Sequence, residues 1–310
     1  MTGTQGLSVR YATGAPAVPP PARPRMRLTL LGCPALVGAD GPLELSPSAT
    51  ILCAYLALAP PDGRSRRLAA AHLLADCSEP TARRRLNTAL WRLRTQVRAS
   101  TGLEIVASAG RSLALTPGLG LSVDATEFEQ LLAPVLRERA EDLTDAHVAS
   151  LEEAVALRRG PLVEGCDDDW VLAERYRVEN LFLTALDLLL QHHGARGDVA
   201  AVWRYGECAL EVEPLREDIH RHLMTAYGAA GRNDLVERQF ERCRQTLLDQ
   251  LGSDPMPETL AAYSRWCRGA PSEAPVGLAA LVDELERARR DIDRLADSVD
   301  RALDRLRRLR

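Results

Sequence analysis

One stretch of the chain, residues 80–98 with the sequence PTARRRLNTALWRLRTQVR, limits the fold more than any other. It begins with a proline, which the first turn of a helix tolerates, and it contains no further helix breaker. Its apolar residues recur at three- and four-residue spacing and so form one stripe along a helix: Ala82, Leu86, Ala89, Leu90, Leu93 and Val97. The stretch therefore predicts an amphipathic helix that packs its apolar stripe against a core.

The opposite face of this helix is cationic, because arginines flank its polar centre and no acidic residue occurs between Glu79 and Glu104. Such a face would repel itself in an isolated helix, whereas a polyanion beside it would neutralise the charge. A solvated surface is the commoner explanation of an arginine-rich helix face. The flanking sequence has to decide between the two explanations.

The flanking elements follow the order of a winged helix-turn-helix domain. The patterns predict strands at residues 27–31 and 43–45, helices at 46–58, 68–74 and 80–98, and a β-hairpin formed by 103–108 and 111–116. In such a domain the third helix enters the major groove of DNA, and the hairpin, or wing, reaches the backbone or the neighbouring minor groove. Nine arginines and three acids between residues 60 and 100 suit a contact dominated by phosphate. This context favours a DNA-binding helix.

Two sets of DNA-contacting side chains follow from this arrangement. The central polar strip of the third helix is predicted to meet base edges through Arg84, Asn87, Thr88 and Trp91. Arginine suits guanine, asparagine suits adenine, and threonine or tryptophan can touch a thymine methyl group. The flanking arginines are predicted to bind phosphate, and these are Arg64, Arg66, Arg83, Arg92, Arg94 and Arg111. Arg83 could equally meet a base edge.

Charge and composition exclude several other functions. Residues 1–98 hold 13 arginines and 5 acids, whereas the rest holds 26 arginines and 38 acids, so only the front is predicted to meet nucleic acid. The chain has no lysine, which excludes a P-loop and a Schiff-base lysine. We find no catalytic triad, metal-ligand spacing or glycine-rich phosphate loop, and therefore expect no catalytic residues, no metal, no cofactor and no enzyme activity.

The cysteines and the apolar runs indicate a cytoplasmic protein. Seven cysteines are scattered without a CxxC pair, and we expect buried thiols in a reducing compartment: Cys33, Cys53, Cys77, Cys166, Cys208, Cys243 and Cys267. No apolar run approaches 18 residues, so no membrane contact is expected. The proline-rich residues 1–25 are predicted to be a disordered arm ahead of a DNA-binding domain at 26–118.

From Val123 onward the patterns are helical, and part of this region repeats. Leu189, Gly197, Val202 and Ala209 recur 34 residues later as Leu223, Gly231, Val236 and Cys243. A 34-residue period of helix, turn and helix is the signature of the tetratricopeptide repeat. The aspartates at 167–169 are interpreted as helix N-terminal residues and not as metal ligands. The sequence thus predicts an all-α, tetratricopeptide-like domain over residues 121–268.

Several motifs resemble a known family, the SARP-type (antibiotic-regulatory-protein) transcriptional activators. The N-terminal motifs are RLTLLGCPALVGADGPLEL (27–45), AAAHLLADCSEP (69–80) and TARRRLNTALWRLR (81–94). The later motifs, which resemble the family's bacterial transcriptional activator domain (BTAD), are LRRGPLVEGCDDDWVLAER (157–175), EVEPLREDIHRHLMTAY (211–227) and ERQFERCRQTLLDQLGSDPMPET (237–259). The resemblance implies a winged helix similar to that of the OmpR/PhoB response regulators. It also implies binding to direct repeats of double-stranded DNA at promoters, recruitment of RNA polymerase with its sigma factor, and control of a secondary-metabolite (antibiotic) gene cluster.

A linker at residues 269–277 precedes a segment at 278–310 with heptad spacing. Its a and d positions, which we expect to form a homodimeric coiled coil, include Leu278, Leu281, Leu285, Ile292, Leu295, Val299, Leu306 and Leu309. A helix that folds back onto the repeat domain would show the same stripe. Both alternatives stay open at this point.

Two functions are compatible with the sequence. The first is a sequence-specific DNA-binding transcriptional activator, favoured by the arginine surplus on the helix at 80–98. The second is a helical-repeat adaptor or scaffold protein whose winged helix binds another protein and not DNA. The fold class is the same in both cases: mainly α, with a winged helix-turn-helix domain, an all-α repeat domain and a C-terminal coiled-coil helix.

Overall fold

The structure of the protein, a computed structural model, describes residues 26–60, 62–109 and 112–267. The chain divides into two compact units at the bond between His192 and His193. Three segments predicted from the sequence lie outside the described residues: the arm at 1–25, the linker at 269–277 and the heptad segment at 278–310. No helix in the described part of the chain is long and apolar enough to cross a membrane.

Unit one contains all the strands of the described residues and the first six α-helices. The strands are β1 (Met26–Thr29), β2 (Ala35–Gly38), β3 (Gly41–Pro42), β4 (Arg64–Ser65), β5 (Val106–Ala109), β6 (Ser112–Leu115) and β7 (Leu121–Val123). The helices are α1 (Pro47–Ala57), α2 (Arg66–Leu73), α3 (Glu79–Thr101), α4 (Asp124–Leu132), α5 (Asp145–Leu157) and α6 (Asp169–Ala195), the last of which continues into unit two. The order of strands and helices confirms the predicted winged helix-turn-helix fold followed by helices.

The strands form two small sheets. In the first, with spatial order β3-β2-β1-β7, β1 pairs antiparallel with β2 and parallel with β7. In the second, with order β4-β6-β5, the wing hairpin β5–β6 is extended by β4, which lies just before α2 in the chain. The end of β6 nearest the hairpin turn is therefore hydrogen-bonded to the segment that starts the helix-turn-helix.

The strand predicted at residues 43–45 is wrong. The chain instead forms a tight hairpin in which Gly38 pairs with Gly41, so the strands are β2 and β3, on either side of that turn. Leu43 donates one more bond, from its N–H to the carbonyl of Leu36 at 2.8 Å. The chain then leaves the sheet because Ser46, only three residues on, is the N-cap of α1.

Helix α3 follows the predicted amphipathic pattern. Its buried residues are Ala82, Leu86, Ala89, Leu90, Leu93 and Val97, the complete apolar stripe of the sequence. The helix ends at Gly102, which adopts the left-handed conformation (φ 71°) and donates its N–H to the carbonyl of Arg98. The stripe packs α3 against α1 and α2, so the opposite face is turned to solvent.

A buried carboxylate joins the first strand to α4. Asp124 is 3% exposed, and its Oδ1 accepts hydrogen bonds from the N–H groups of Leu30 and Ala125, both at 2.7 Å, while Oδ2 accepts from that of Leu31 at 3.1 Å. Burial raises the pKa of Asp124, against the opposing effect of these three donors and Arg27. Since β7, which ends at the preceding residue, runs parallel to β1, sheet and carboxylate together hold α4 beside the first strand.

Arg175, in the second turn of α6, contacts the segment that precedes the helix and contains most of the aspartate run. Arg175 donates to the carbonyls of Leu162, Val163 and Cys166 at 3.1, 3.3 and 2.6 Å and so closes the turn that precedes the helix. The same guanidinium lies 3.4 Å from a carboxylate oxygen of Asp167. These contacts are charge-assisted hydrogen bonds within the protein.

Unit two is helical throughout its described residues. Its helices after α6 are α7 (Val199–Val212), α8 (Glu217–Ala229), α9 (Asn233–Leu251) and α10 (Pro257–Cys267). Helix α8 packs against α7, α9 and α10. The approach of α10 to α8 requires a glycine, because a Cβ on Gly228 would lie 2.1 Å from the ring of Trp266.

The 34-residue period corresponds to equivalent positions in the structure. Gly197 and Gly231, in the turns before α7 and α9, both have φ of 71°. The helical partners Val202 and Val236 are 2% and 0% exposed, respectively. The period thus places the same residue types at the same turn and core positions, while the name tetratricopeptide repeat stays a prediction.

Candidate nucleic-acid interface

The outer face of α3 presents the predicted base-contacting strip to solvent. Arg84, Asn87, Thr88 and Trp91 are all exposed, and Trp91 is 65% exposed although it is a large aromatic residue. The helix has 23 residues, which is a length of about 34 Å at 1.5 Å per residue. It is long enough to follow a DNA groove with its middle turns and still pack at both ends.

Hydrogen bonds within the protein fix the side chains of two residues of this strip, Asn87 and Thr88. Nη1 of Arg66, at the start of α2, donates to Oδ1 of Asn87 at 3.3 Å. The hydroxyl of Thr88 donates to the carbonyl of Arg84, one turn earlier, at 3.1 Å. The threonine hydroxyl is therefore used within the helix, and the asparagine is tied to the neighbouring helix through an arginine.

Arg66, which donates to Asn87, is one of the predicted phosphate-binding arginines, and two more of them have contacts inside the protein. Nη2 of Arg64 donates to the carbonyl of Leu58 at 3.1 Å, and its guanidinium carbon lies 4.6 Å from the ring centroid of Tyr55. Nη2 of Arg94 donates to the carbonyl of Val106 at 3.1 Å. The Nε of Arg94 also lies 3.0 Å from a carboxylate oxygen of Glu104. Arg94 therefore braces the first strand of the wing, and Arg64 fastens β4 to α1.

The remaining predicted phosphate ligands differ in their surroundings. Nη2 of Arg83 lies 3.4 Å from Oε1 of Glu79, one turn earlier. Both side chains of this pair are about three-quarters exposed. Arg92 is exposed and has no hydrogen bond or ion pair with any other described residue. Arg111, which the sequence predicts at the turn of the wing hairpin, lies outside the described residues.

Two further arginines flank the polar strip of α3, Arg85 and Arg98, and both are exposed. The sequence predicts no specific DNA contact for either of them. Arg85 donates to the sulfur of Cys77 at 3.4 Å, in the loop before the helix. The sequence signal for both residues is the excess of arginine on α3. Arg98 lies one helical turn beyond Arg94, so helical spacing places it beside that residue. Arg98 extends the cationic surface into the last turn of the helix, and Arg85 adds charge near its N-terminal arginines.

The cysteines are free thiols. Cys53 and Cys243 are buried, and burial raises their pKa to about 12 and about 11, respectively, so both stay protonated. The expectation that all seven are buried is wrong for four of them. Cys33 is exposed because it lies in the loop between β1 and β2, and Cys77, Cys208 and Cys267 are only partly buried. Among the described residues, no three His, Cys, Asp or Glu side chains are grouped so as to hold a metal ion.

Comparison with known proteins identifies the helical region. Residues 123–265 match the family described as the bacterial transcriptional activator domain. The chain contains a bacterial transcriptional activator domain. This activator domain begins at the last residue of β7, includes the Asp124 carboxylate and extends into α10. It belongs to transcription regulators and not to an enzyme family.

A solved structure shares the fold. The chain is similar to Mycobacterium tuberculosis EmbR, solved in complex with a low affinity phosphopeptide, with a TM-score of 0.62 and 22% sequence identity. The similarity covers 84% of this chain and 71% of that one. No curated protein sequence matches this chain. The family match confirms the predicted bacterial transcriptional activator domain, and the solved structure confirms the predicted fold.

Proposed function

We propose that the protein is a sequence-specific DNA-binding activator of transcription in which α3 enters the major groove. The observation that carries this proposal is the outer face of α3, where exposed arginines occur along the helix without an acid after Glu79. A solvated helix would be more stable with acids interleaved at one-turn spacing, because like charges one turn apart repel. DNA phosphates supply the missing negative charge.

The residues of this face divide into two roles. The middle strip contacts base edges, with Arg84 placed for guanine, Asn87 for adenine and Trp91 for apolar contact with a thymine methyl group. The hydroxyl of Thr88 is used in the helix, which leaves its methyl group for the same apolar role. Arg66 is assigned to phosphate binding, and its hydrogen bond to Asn87 also orients the asparagine amide.

Phosphate binding is assigned to the arginines at the edges of the strip. Arg83 and Arg92 flank it on the exposed side of α3, and Arg111 lies at the predicted wing tip. Arg64 and Arg94 support the wing from inside, and any phosphate contact of theirs would have to be made with their remaining N–H groups. Arginine suits this use because its fork of donors matches phosphate oxygens.

The biological setting follows from the resemblance to SARP-type regulators. The regulator would act in the cytoplasm, bind direct repeats at promoters and recruit RNA polymerase through its sigma factor. The target would be a secondary-metabolite, antibiotic-type gene cluster. Footprinting upstream of the neighbouring genes tests this setting directly, since protected direct repeats are expected there and their absence would contradict it.

A salt titration tests DNA binding itself. We expect the logarithm of the affinity for promoter DNA to fall linearly with the logarithm of salt concentration, because every phosphate contact releases counterions. The wild-type protein is compared with a variant in which Arg83, Arg84 and Arg92 are replaced by glutamine. This variant should bind far more weakly, and its log affinity should depend less steeply on log salt concentration. If the wild-type protein binds no duplex even at low salt, the adaptor function is the better account.

We further propose that residues 278–310 form a homodimeric coiled coil. The support is the heptad spacing, with Leu278, Leu285 and Leu306 among its a and d positions. Deleting residues 277–310 should convert a solution dimer into a monomer, as measured by light scattering coupled to size-exclusion chromatography. A truncated protein that is still a dimer would contradict the coiled-coil assignment.

A further inference from the structure

The ring of Tyr55 is where the DNA-binding elements meet the activator domain within unit one. Tyr55 lies on α1 and is 0% exposed. Its hydroxyl is 3.1 Å from Nδ1 of His72 on α2, and the guanidinium carbon of Arg64 on β4 is 4.6 Å from its ring centroid. The indole of Trp170, on α6, meets it edge-to-face with a centroid distance of 5.1 Å and an interplanar angle of 86°. Four secondary-structure elements thus share one buried phenol ring.

The Arg64 side of this contact leads to the DNA-binding surface. Arg64 pairs with Leu113 of the wing strand β6. The next residue, Ser65, caps α2 by accepting the N–H of Leu68 at 3.2 Å. The residue after that is Arg66, the donor to Asn87 on the outer face of α3. A displacement of Arg64 would therefore move the wing and the start of α2 together.

The Trp170 side of the contact leads into the activator domain. Trp170 is the second residue of α6, and its Nε1 donates to Oδ2 of Asp168 at 3.2 Å, which fixes the plane of the indole. The turn before the helix is closed by Arg175. The indole is therefore presented to Tyr55 by a locally ordered segment, and an edge-to-face pair depends on that orientation.

We propose that Trp170 and Tyr55 are positioning residues through which the activator domain sets the placement of the wing and of the base-contacting strip. Trp170 holds the Tyr55 ring, the ring face holds the Arg64 guanidinium by a cation–π contact, and Arg64 holds β4 and the start of α2. Neither aromatic residue touches DNA. The proposal rests on the proposed DNA binding for its biological meaning, whereas the coupling itself is a property of unit one.

Hydrogen exchange tests the coupling without DNA. In the full-length protein, Trp170→Ala should speed amide exchange in β4, β6 and the first turn of α2, while exchange in α5 and α8 stays as in the wild type. Trp170→Phe should restore most of the protection, because it retains an aromatic edge for the ring of Tyr55. The control Trp203→Ala removes a 52% exposed tryptophan from α7 and should leave these segments unchanged.

Operator binding tests the consequence. On a duplex carrying the footprinted repeats, Trp170→Ala should weaken binding about fivefold or more, Tyr55→Phe less, and Trp203→Ala not at all. In a double-mutant cycle with Arg64→Leu, the combined loss should be clearly smaller than the product of the single losses, because both changes break the same chain of contacts.

The outcomes separate the two proposals. Unchanged exchange in β4, β6 and α2 with Trp170→Ala would overturn the coupling, whatever the DNA result. Altered exchange in a protein that binds no DNA would support the coupling and overturn DNA binding alone. Altered exchange with operator affinity unchanged, or losses that simply multiply in the cycle, would overturn the claim that these residues position the DNA-binding surface.

Discussion

Helices α3 and α9 have the same architecture but differ in how their exposed arginines are paired with acids. Both bury one apolar stripe and end at a left-handed glycine, Gly102 with φ of 71° and Gly252 with φ of 64°. On α9, however, Arg242 lies 2.7 Å from Glu207, and Arg244 lies 2.6 Å from Glu241. On α3, Arg83 lies 3.4 Å from Glu79 and Arg94 lies 3.0 Å from Glu104. Among the described residues, no acid pairs with the other exposed arginines of its outer face, Arg84, Arg92 and Arg98.

The difference separates what makes a helix from what gives it a function. The buried stripe is sufficient for both helices to form and dock, since most helical stability in proteins comes from packing an amphipathic face. Arginines that form ion pairs with neighbouring acids are neutralised within the protein and need no partner. Arginines left without such acids indicate a negatively charged partner. Four substitution pairs test this comparison.

The largest effect should come from the shared buried stripe. Leu93→Ala in α3 (0% exposed) and Leu247→Ala in α9 (4% exposed) should each lower the free energy of unfolding by about 3 kcal/mol, because each loses burial and leaves a cavity. Urea denaturation followed by circular dichroism measures this loss. A cost below about 1 kcal/mol for either variant would show that the two stripes are not equivalent.

The next effect distinguishes the two outer faces. Arg84→Ala or Asn87→Ala in α3 should reduce discrimination between the operator and altered operators by about 1–3 kcal/mol for a lost bidentate contact. The matched control, Arg238→Ala on the exposed face of α9, should leave discrimination unchanged. Fluorescence anisotropy with a set of duplexes measures both. Binding that weakens equally on every duplex would contradict the base-contacting assignment.

A smaller effect concerns the phosphate contacts. Arg92→Ala should weaken binding to all duplexes alike and reduce the slope of log affinity against log salt by about 1. Arg244→Ala on α9, whose guanidinium is already paired with Glu241, should leave the slope unchanged. If Arg92→Ala alters preference among duplexes without changing the slope, that arginine contacts a base.

The smallest effect is on stability. Arg242→Ala should cost about 0.5 kcal/mol, since its pair with Glu207 is partly exposed and surface ion pairs contribute little. Arg92→Ala should cost less than that, because no described residue pairs with Arg92. Thermal denaturation at low and at high salt measures both, and salt should remove the difference. If Arg92→Ala lowers the free energy of unfolding more than Arg242→Ala does, Arg92 stabilises the fold.

The sequence predicted the helices better than the small sheets. The periodicity of α3 gave its complete buried stripe, and the serine and proline at 46 and 47 gave the start of α1. Strand β2 was missed, and the parallel pairing of β7 with β1 was not foreseen. Its register joins Met26 to Leu121, so it depends on distant residues and not on a local pattern. The heptad segment stays a prediction.

For the candidate interface, the sequence alone determined which side of α3 is outside, because a helix with one apolar stripe has one way to bury it. Residue spacing was therefore enough to place Arg84, Asn87, Thr88 and Trp91 on a single exposed strip. That result needed only the 3.6-residue repeat of the helix and the exclusion of apolar groups from water.

Only the tertiary structure decided which arginines have internal roles. Arg64 and Arg94 look like the other arginines in the sequence, yet one lies over the ring of Tyr55 and the other bonds the first strand of the wing hairpin. The contact of Tyr55 with Trp170, 115 residues further along the chain, is equally invisible in a local pattern. The physical reason is that a long cationic side chain binds whichever carbonyl, ring or carboxylate the fold brings within reach, and only packing determines which groups those are.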